Sequence, residues 1–267
     1  MTFPSIPAGN FAGMIFTTAA SILLPIVLWV AACWKLKEKP NSILLGCAAF
    51  VIFALILEQS LHSIVLNNIP AVQENTWLYF AYGSLAAALF EETGRFLAMK
   101  YFMKDRLNEK SALLYGLGHG GMEAILVIGI AYVNNLVIAG MIQSGQMESA
   151  LAGMDAASAE AAVESVSSLW TLPSYQFFLA GVERILAMVL QLALSMFVFQ
   201  AVRGKKMGYY ALAMAVHFGV NFITTMAAQF FDPVYVEGIL LLLVLAAAFG
   251  AWQITKKERD GHGAPVE

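Results

Sequence analysis

Four polar pairs inside apolar stretches are the residues of this sequence that could do chemistry. Ionisable side chains are costly in an apolar interior and tend to mark ion paths, ligand sites or catalytic groups. In each pair the two residues are four positions apart, which places them on one face of an α-helix, separated by one turn. The pairs are Glu58 with His62, Glu91 with Arg95, His119 with Glu123, and His217 with Asn221.

Glu91 and its neighbour Glu92 provide carboxylates for acid–base chemistry. A carboxylate in apolar surroundings is a stronger base than in water, and this suits a group that must take a proton from water. Arg95, one turn away, would keep the carboxylate ionised and oriented. The imidazoles and the carboxamide of the other pairs can donate hydrogen bonds to an oxyanion that forms on a carbonyl substrate. Water attack on an amide is therefore the reaction that these residues fit best.

Whether a metal takes part is open at this point. The sequence has no His-Glu-x-x-His run of the kind that zinc proteases carry on one helix, and its apolar stretches contain no Asp for an aspartyl protease. A zinc site with an open position could still be built from two histidines and a carboxylate. The candidate ligands are Glu91, His119, Glu123 and His217. The cofactor is either none or a divalent metal such as zinc.

The elements that position these residues are membrane helices. Of the 267 residues, 60% are hydrophobic and only 12% are charged, too few to cover a water-facing surface. Apolar runs of about 20 residues, long enough to cross a bilayer, recur along the chain. We therefore predict an all-α, multi-pass membrane helix bundle that forms a single domain over 1–267. The seven predicted spans are 13–33, 43–66, 77–103, 111–138, 173–200, 209–230 and 234–254.

The positions of the cations predict the orientation of these spans. Lys and Arg occur in alternate connections and in the tail after residue 254, whereas 67–76, 139–172 and 231–233 contain none. Cytoplasmic loops carry the excess of Lys and Arg, so the N-terminus is predicted outside and the C-terminus in the cytoplasm. The long outer loop 139–172 is either a short amphipathic helix or disordered. With a net charge of −3 and no basic patch, the chain is not expected to bind nucleic acid.

Depth in the membrane separates the polar residues into two groups. At a rise of about 1.5 Å per residue, Glu91, His119 and His217 lie roughly 12–18 Å from the predicted cytoplasmic ends of their spans. These three residues are therefore predicted to meet. Glu58 and His62 lie nearer the outer half, and their role is open between a structural pair and a substrate-facing group.

Three short motifs contain most of the polar residues described above. They are Glu91-Glu92-Thr93-Gly94-Arg95, Tyr115-Gly116-Leu117-Gly118-His119 and His217-Phe218-Gly219-Val220-Asn221. These motifs resemble those of the YhfC-type intramembrane proteases. More distantly, they resemble the CAAX prenyl endopeptidase superfamily, which includes bacteriocin-processing enzymes and has Glu-Glu-x-x-x-Arg, Phe-x-x-x-His and His-x-x-x-Asn patterns. Arg95 is one residue closer to the Glu pair than in the CAAX enzymes, and Tyr115 stands where they have Phe.

The resemblance implies roles for these residues. Glu91 would activate water beside His119, while His217 and Asn221 would hold the oxyanion. Arg95 and Glu92 would support the base. Families of this kind are described both as metalloproteases and as glutamate proteases without metal, so the resemblance leaves the metal open.

The leading hypothesis is an intramembrane peptidase that cleaves a membrane-associated peptide or protein. By the same resemblance it would reside in a bacterial cytoplasmic membrane. Two alternatives remain, a proton-coupled secondary transporter and a non-catalytic membrane binding protein on a protease scaffold. A transporter also needs buried Glu and His near the middle of the membrane. However, the sequence shows no internal repeat.

Overall fold

The computed structural model describes residues 3–262, and the described residues form helices and connecting turns without a β-strand. Six helices are long and apolar enough to cross a membrane. This confirms the prediction of an all-α, multi-pass membrane helix bundle. The helices are α1 (Ala8–Leu36), α2 (Asn41–Asn68), α3 (Pro70–Glu74), α4 (Thr76–Leu97), α5 (Glu109–Gln143), α6 (Gln146–Leu151), α7 (Ala156–Val166), α8 (Ser168–Thr171), α9 (Ser174–Arg203), α10 (Met207–Ala227) and α11 (Pro233–His262).

Helix α4 corresponds to the third predicted span, but it is not among the six apolar helices. It begins after Asn75, whose side chain accepts a hydrogen bond of 3.0 Å from the Leu78 N–H. It continues without a break into a π-helical segment, Ala98–Met103, so its length matches the prediction. Two glutamates and an arginine in its second half reduce its apolar character. The count of seven spans and the sides of the termini stay predictions.

The connection predicted at 139–172 is helical over most of its length. Helix α5 extends into it as far as Gln143, and the three short helices α6 to α8 follow. Helix α7 begins after Asp155, whose carboxylate accepts a hydrogen bond of 3.0 Å from the Ser158 N–H. Of the two predictions for this segment, the structure agrees with the helical one.

The chain divides into two compact units. The first contains the residues up to Leu24 together with Ala124–Ile185. Its core contains Ile6, Met14, Leu169 and Phe177. The second unit contains Pro25–Glu123 and the residues from Leu186 onward, and it includes all of the candidate catalytic residues.

Within the second unit, α2 and α5 approach so closely that only glycine fits between them. A Cβ atom on Gly46 would lie 2.2 Å from the carbonyl oxygen of Tyr115. A Cβ on Gly118 would lie 2.1 Å from the carbonyl oxygen of Ile43. Small residues allow this kind of backbone approach between membrane helices. The contact fixes the part of α5 that carries His119.

We expect Gly118→Ala to destabilise the protein. The added methyl group would meet backbone atoms that no rotamer change can move, so α2 and α5 must separate. Overpacking of this kind costs about 1–3 kcal/mol. The free energy of unfolding in lipid bicelles measures the effect.

The matched control for that substitution is Gly238→Ala in α11, because a Cβ there meets no atom within 4 Å. Alanine in an open helix position should leave the protein as stable as the parent or more stable, by about 0.5–1 kcal/mol. Equal effects of the two substitutions would contradict the close contact.

Three π-helical segments adjoin polar residues of interest, a feature that the sequence did not indicate. Val51–Glu58 ends at Glu58, Ala98–Met103 begins three residues after Arg95, and Ala124–Gly129 directly follows Glu123. Such segments change the register of a helix and occur frequently at functional sites.

Candidate active site

Four helices bring the predicted site residues together, all with their parts that lie in the second unit. Helix α4 carries Glu91, Glu92 and Arg95, α5 carries His119 and Glu123, and α10 carries His217 and Asn221. Helix α9 adds Gln191 and Ser195. Neighbouring Glu91 and Glu92 point about 100° apart around α4, so they reach different partners.

The first cluster is centred on Glu91. Its Oε2 atom lies 2.8 Å from His119 Nε2 and accepts a hydrogen bond of 3.0 Å from Gln191 Nε2. The imidazole ring of His119 also packs edge-on against Phe50, with 5.4 Å between the ring centroids. Glu91 and His119, predicted to share one depth, are therefore in contact, whereas His217 contacts the neighbouring Glu92.

The second cluster is centred on Glu92. Its Oε1 atom lies 2.9 Å from His217 Nδ1, and its Oε2 atom lies 3.4 Å from Arg95 Nε. The Glu92 and Arg95 side chains are completely buried. A buried ion pair is retained only where opposite charge and hydrogen bonds compensate for the lost water. Glu92 therefore orients the His217 ring through Nδ1.

Arg95 is held by α9 as well as by Glu92. One guanidinium nitrogen, Nη1, donates to the carbonyl oxygen of Gln191 at 2.8 Å and to Ser195 Oγ at 2.9 Å. The other, Nη2, donates to Gln191 Oε1. The spacing in the sequence predicted that Arg95 pairs with Glu91. In the structure Arg95 forms its ion pair with Glu92, three positions earlier in the chain.

Glu123 joins the first cluster and makes it a possible metal site. One potential ligand atom from each of Glu91, His119 and Glu123 lies within 4.8 Å of the others. Gln191 Nε2 donates a hydrogen bond of 2.8 Å to Glu123 Oε2. Two carboxylates and one imidazole are a donor set that suits zinc and other divalent metals, so these residues fit such an ion. His217, the fourth candidate ligand, is paired with Glu92 instead.

Asn221 and the Glu58–His62 pair lie outside both clusters. Asn221 is half-buried, one turn beyond His217 on α10, and within residues 3–262 its side chain has no hydrogen-bond partner. Its part in holding an oxyanion stays a prediction. Glu58 Oε1 lies 3.1 Å from His62 Nε2, and His62 Nδ1 lies 2.9 Å from the Tyr82 hydroxyl. Glu58 is therefore hydrogen-bonded within its own helix.

Gln191 and Ser195 are the site residues that sequence reasoning missed. Both are uncharged, and they lie in the apolar run of the fifth predicted span, where only ionisable residues were considered. The sequence did indicate them, because Gln191 and Ser195 are four positions apart and so lie on one helix face. Uncharged polar residues at this spacing in a membrane helix could have been added to the candidates.

Comparisons with known proteins agree with the motifs. The family model described as YhfC intramembrane metalloprotease matches residues 20–245. The uncharacterized membrane protein YhfC of Bacillus subtilis (strain 168) is 33% identical over 245 residues, which cover 90% of this chain and 93% of the relative. No solved structure matches significantly. The more distant resemblance to the CAAX enzymes stays a prediction. The chain belongs to the YhfC intramembrane metalloprotease family.

Proposed function

We propose that this protein is an intramembrane endopeptidase of the bacterial cytoplasmic membrane, in which Glu91 activates the water that attacks a peptide bond. Its substrate would be a membrane-associated peptide or protein. The observation that carries the proposal is the contact of 2.8 Å between the Glu91 carboxylate and His119 Nε2, beside the Glu92 carboxylate that lies 2.9 Å from His217 Nδ1. The family description supports peptidase activity in general.

Burial and pairing favour Glu91 over Glu92 as the base. Glu92 is 0% exposed and is held on both carboxylate oxygens, by His217 and by the Arg95 guanidinium. Glu91 is 7% exposed and is the less enclosed of the two carboxylates. A general base must be within hydrogen-bond reach of the proton that it takes. Glu92 is then a structural carboxylate that orients His217.

The residues would divide the reaction as follows. Glu91 takes a proton from water, and the water oxygen attacks the carbonyl carbon while the carbonyl π electrons move onto oxygen. His217 and Asn221 stabilise the resulting oxyanion by hydrogen bonds. When the carbonyl reforms, the C–N bond breaks, and Glu91 returns its proton to the leaving nitrogen. His119 holds the Glu91 carboxylate in place throughout.

A divalent metal, if one takes part, would be held by Glu91, His119 and Glu123. Such an ion, when bound, supplies a Lewis acid that polarises a carbonyl and makes water a better nucleophile. Glu123 and His119 would then hold the ion together with Glu91, and Glu92 would still orient His217.

The test uses the purified protein in liposomes with a library of membrane-anchored peptides. Mass spectrometry should detect fragments with new ends, and His119→Ala should abolish them. A transporter would instead move protons or solute across the vesicle membrane without cleaving any peptide. A non-catalytic binding protein would retain peptides intact. Either of these last two results would contradict the proposal.

A further inference from the structure

The amide of Gln191 connects three charged groups of the site. Its Nε2 atom donates to Glu91 Oε2 at 3.0 Å and to Glu123 Oε2 at 2.8 Å. Its Oε1 atom accepts from Arg95 Nη2. An amide has two N–H donors and one carbonyl acceptor, so all of these hydrogen bonds form at the same time. Gln191 is 3% exposed, which leaves little room for water to replace it.

Arg95 fixes which way this amide points. A guanidinium can only donate hydrogen bonds, so the oxygen of the amide must face it. A flipped amide would place N–H groups against Arg95 and a carbonyl oxygen against two carboxylates. The carbonyl of the same residue accepts from Arg95 Nη1 at 2.8 Å, which ties the backbone to the same guanidinium. Both N–H groups are therefore directed at Glu91 and Glu123.

The two carboxylates need such a bridge. Like charges a few ångströms apart repel, and the repulsion is strong where water is excluded. One amide that donates to both carboxylates offsets the repulsion and fixes the distance between them. Without it, Glu91 would keep its contact with His119, but the distance between the two carboxylates would no longer be fixed by the amide.

We infer that Gln191 is a positioning residue whose amide holds Glu91 and Glu123 together. Because Arg95 fixes the direction of that amide, Arg95 also orients the catalytic base. This inference rests on the proposed function for the role of Glu91. It also assigns Arg95 a part that spacing along α4 did not indicate, since Arg95 acts on Glu91 through α9. Ser195, which accepts from Arg95 at 2.9 Å, supports the same arrangement.

The first experiment compares Gln191→Leu with the parent protein in peptide cleavage. A misplacement of about 1 Å at a reacting group can reduce the rate about 10²-fold, so we expect kcat to fall about 10²-fold. KM should change by less than about threefold, because Gln191 does not bind the substrate in this account. Gln200→Leu is the matched control, since Gln200 is also buried on α9 but lies outside the site. It should cleave as the parent does.

The second experiment is a double-mutant cycle that does not depend on cleavage. The unfolding equilibrium is measured for Gln191→Leu, Glu123→Gln and the double variant. Because Glu123→Gln removes one of the repelling charges, it should harm the Gln191→Leu protein less than the parent. For the unfolding equilibrium constant, we expect the change in the double variant to differ about tenfold from the product of the changes in the two single variants.

The outcomes separate this inference from the proposed function. The positioning role would be wrong if Gln191→Leu had the kcat of the parent. It would also be wrong if the two single effects on the unfolding equilibrium constant simply multiplied in the double variant. Neither result would contradict the peptidase proposal. If the parent cleaves no peptide, the proposed function fails and the cycle alone decides whether Gln191 couples to Glu123. If Gln191→Leu does not fold, Gln191→Glu replaces it. Glutamate keeps an oxygen for Arg95 but loses both N–H donors, so its kcat should fall at least as far.

Discussion

Glu91→Gln is expected to lower kcat for peptide cleavage by about 10³–10⁴-fold, at the upper end of what loss of a general base costs. Glutamine has the same size as glutamate and can still accept a hydrogen bond from His119 Nε2. It cannot take a proton from water, so the fall in kcat would come from the missing base and not from altered packing. KM should change little. Initial rates with one purified peptide substrate over a range of concentrations separate the two parameters.

Glu183→Gln provides the control for this prediction. Glu183 also lies in a helix that is apolar enough to span the membrane, but it belongs to the first unit and is absent from both clusters. Its substitution should leave kcat unchanged. Cleavage by Glu91→Gln at the parent rate would show that another group activates the water.

Arg95→Met is expected to have the largest effect on stability. Arg95 and Glu92 are 0% exposed and lie 3.4 Å apart, so removing the guanidinium leaves a buried carboxylate without its cation. Breaking a buried pair by removing one partner costs about 3–5 kcal/mol. The substitution also removes the hydrogen bonds to Gln191 and Ser195. Unfolding in bicelles measures the change in free energy.

A second substitution tests the cause of that loss. Glu92→Gln in the Arg95→Met background removes the uncompensated charge, so the double variant should be more stable than Arg95→Met alone. Arg106→Met is the surface control, because Arg106 is exposed and is expected to contribute little. If Arg95→Met unfolds no more easily than Arg106→Met, the buried pair is not holding α4 in place.

The sequence predicted the helical fold and much of the site because both depend on simple periodicity. Long apolar runs need helices in a membrane, and the spacing of four residues places polar groups on one helix face. Counting residues along each span was enough to place Glu91 level with His119, and the two are 2.8 Å apart.

The partners of the charged side chains could not be obtained in the same way. The spacing of four residues favoured Glu91 as the partner of Arg95, but a long arginine side chain reaches several positions and pairs with Glu92. That choice depends on α9, where Gln191 and Ser195 receive the guanidinium. Similarly, His217 was grouped with Asn221 on its own helix, whereas its hydrogen bond crosses to Glu92 on α4. Contacts between helices depend on rotation and packing, and a single sequence does not specify these directly.

In the proposed mechanism, Glu91 activates a water molecule that attacks the peptide carbonyl directly. Cleavage of one membrane peptide in water enriched in oxygen-18 tests it, with the parent and Glu91→Gln proteins compared at equal folded amounts. The account predicts one oxygen-18 atom in the new carboxyl terminus made by the parent, no transfer of the acyl group to added hydroxylamine, and almost no product from Glu91→Gln. A hydroxamate product, or labelled product formed by Glu91→Gln at the parent rate, would contradict it.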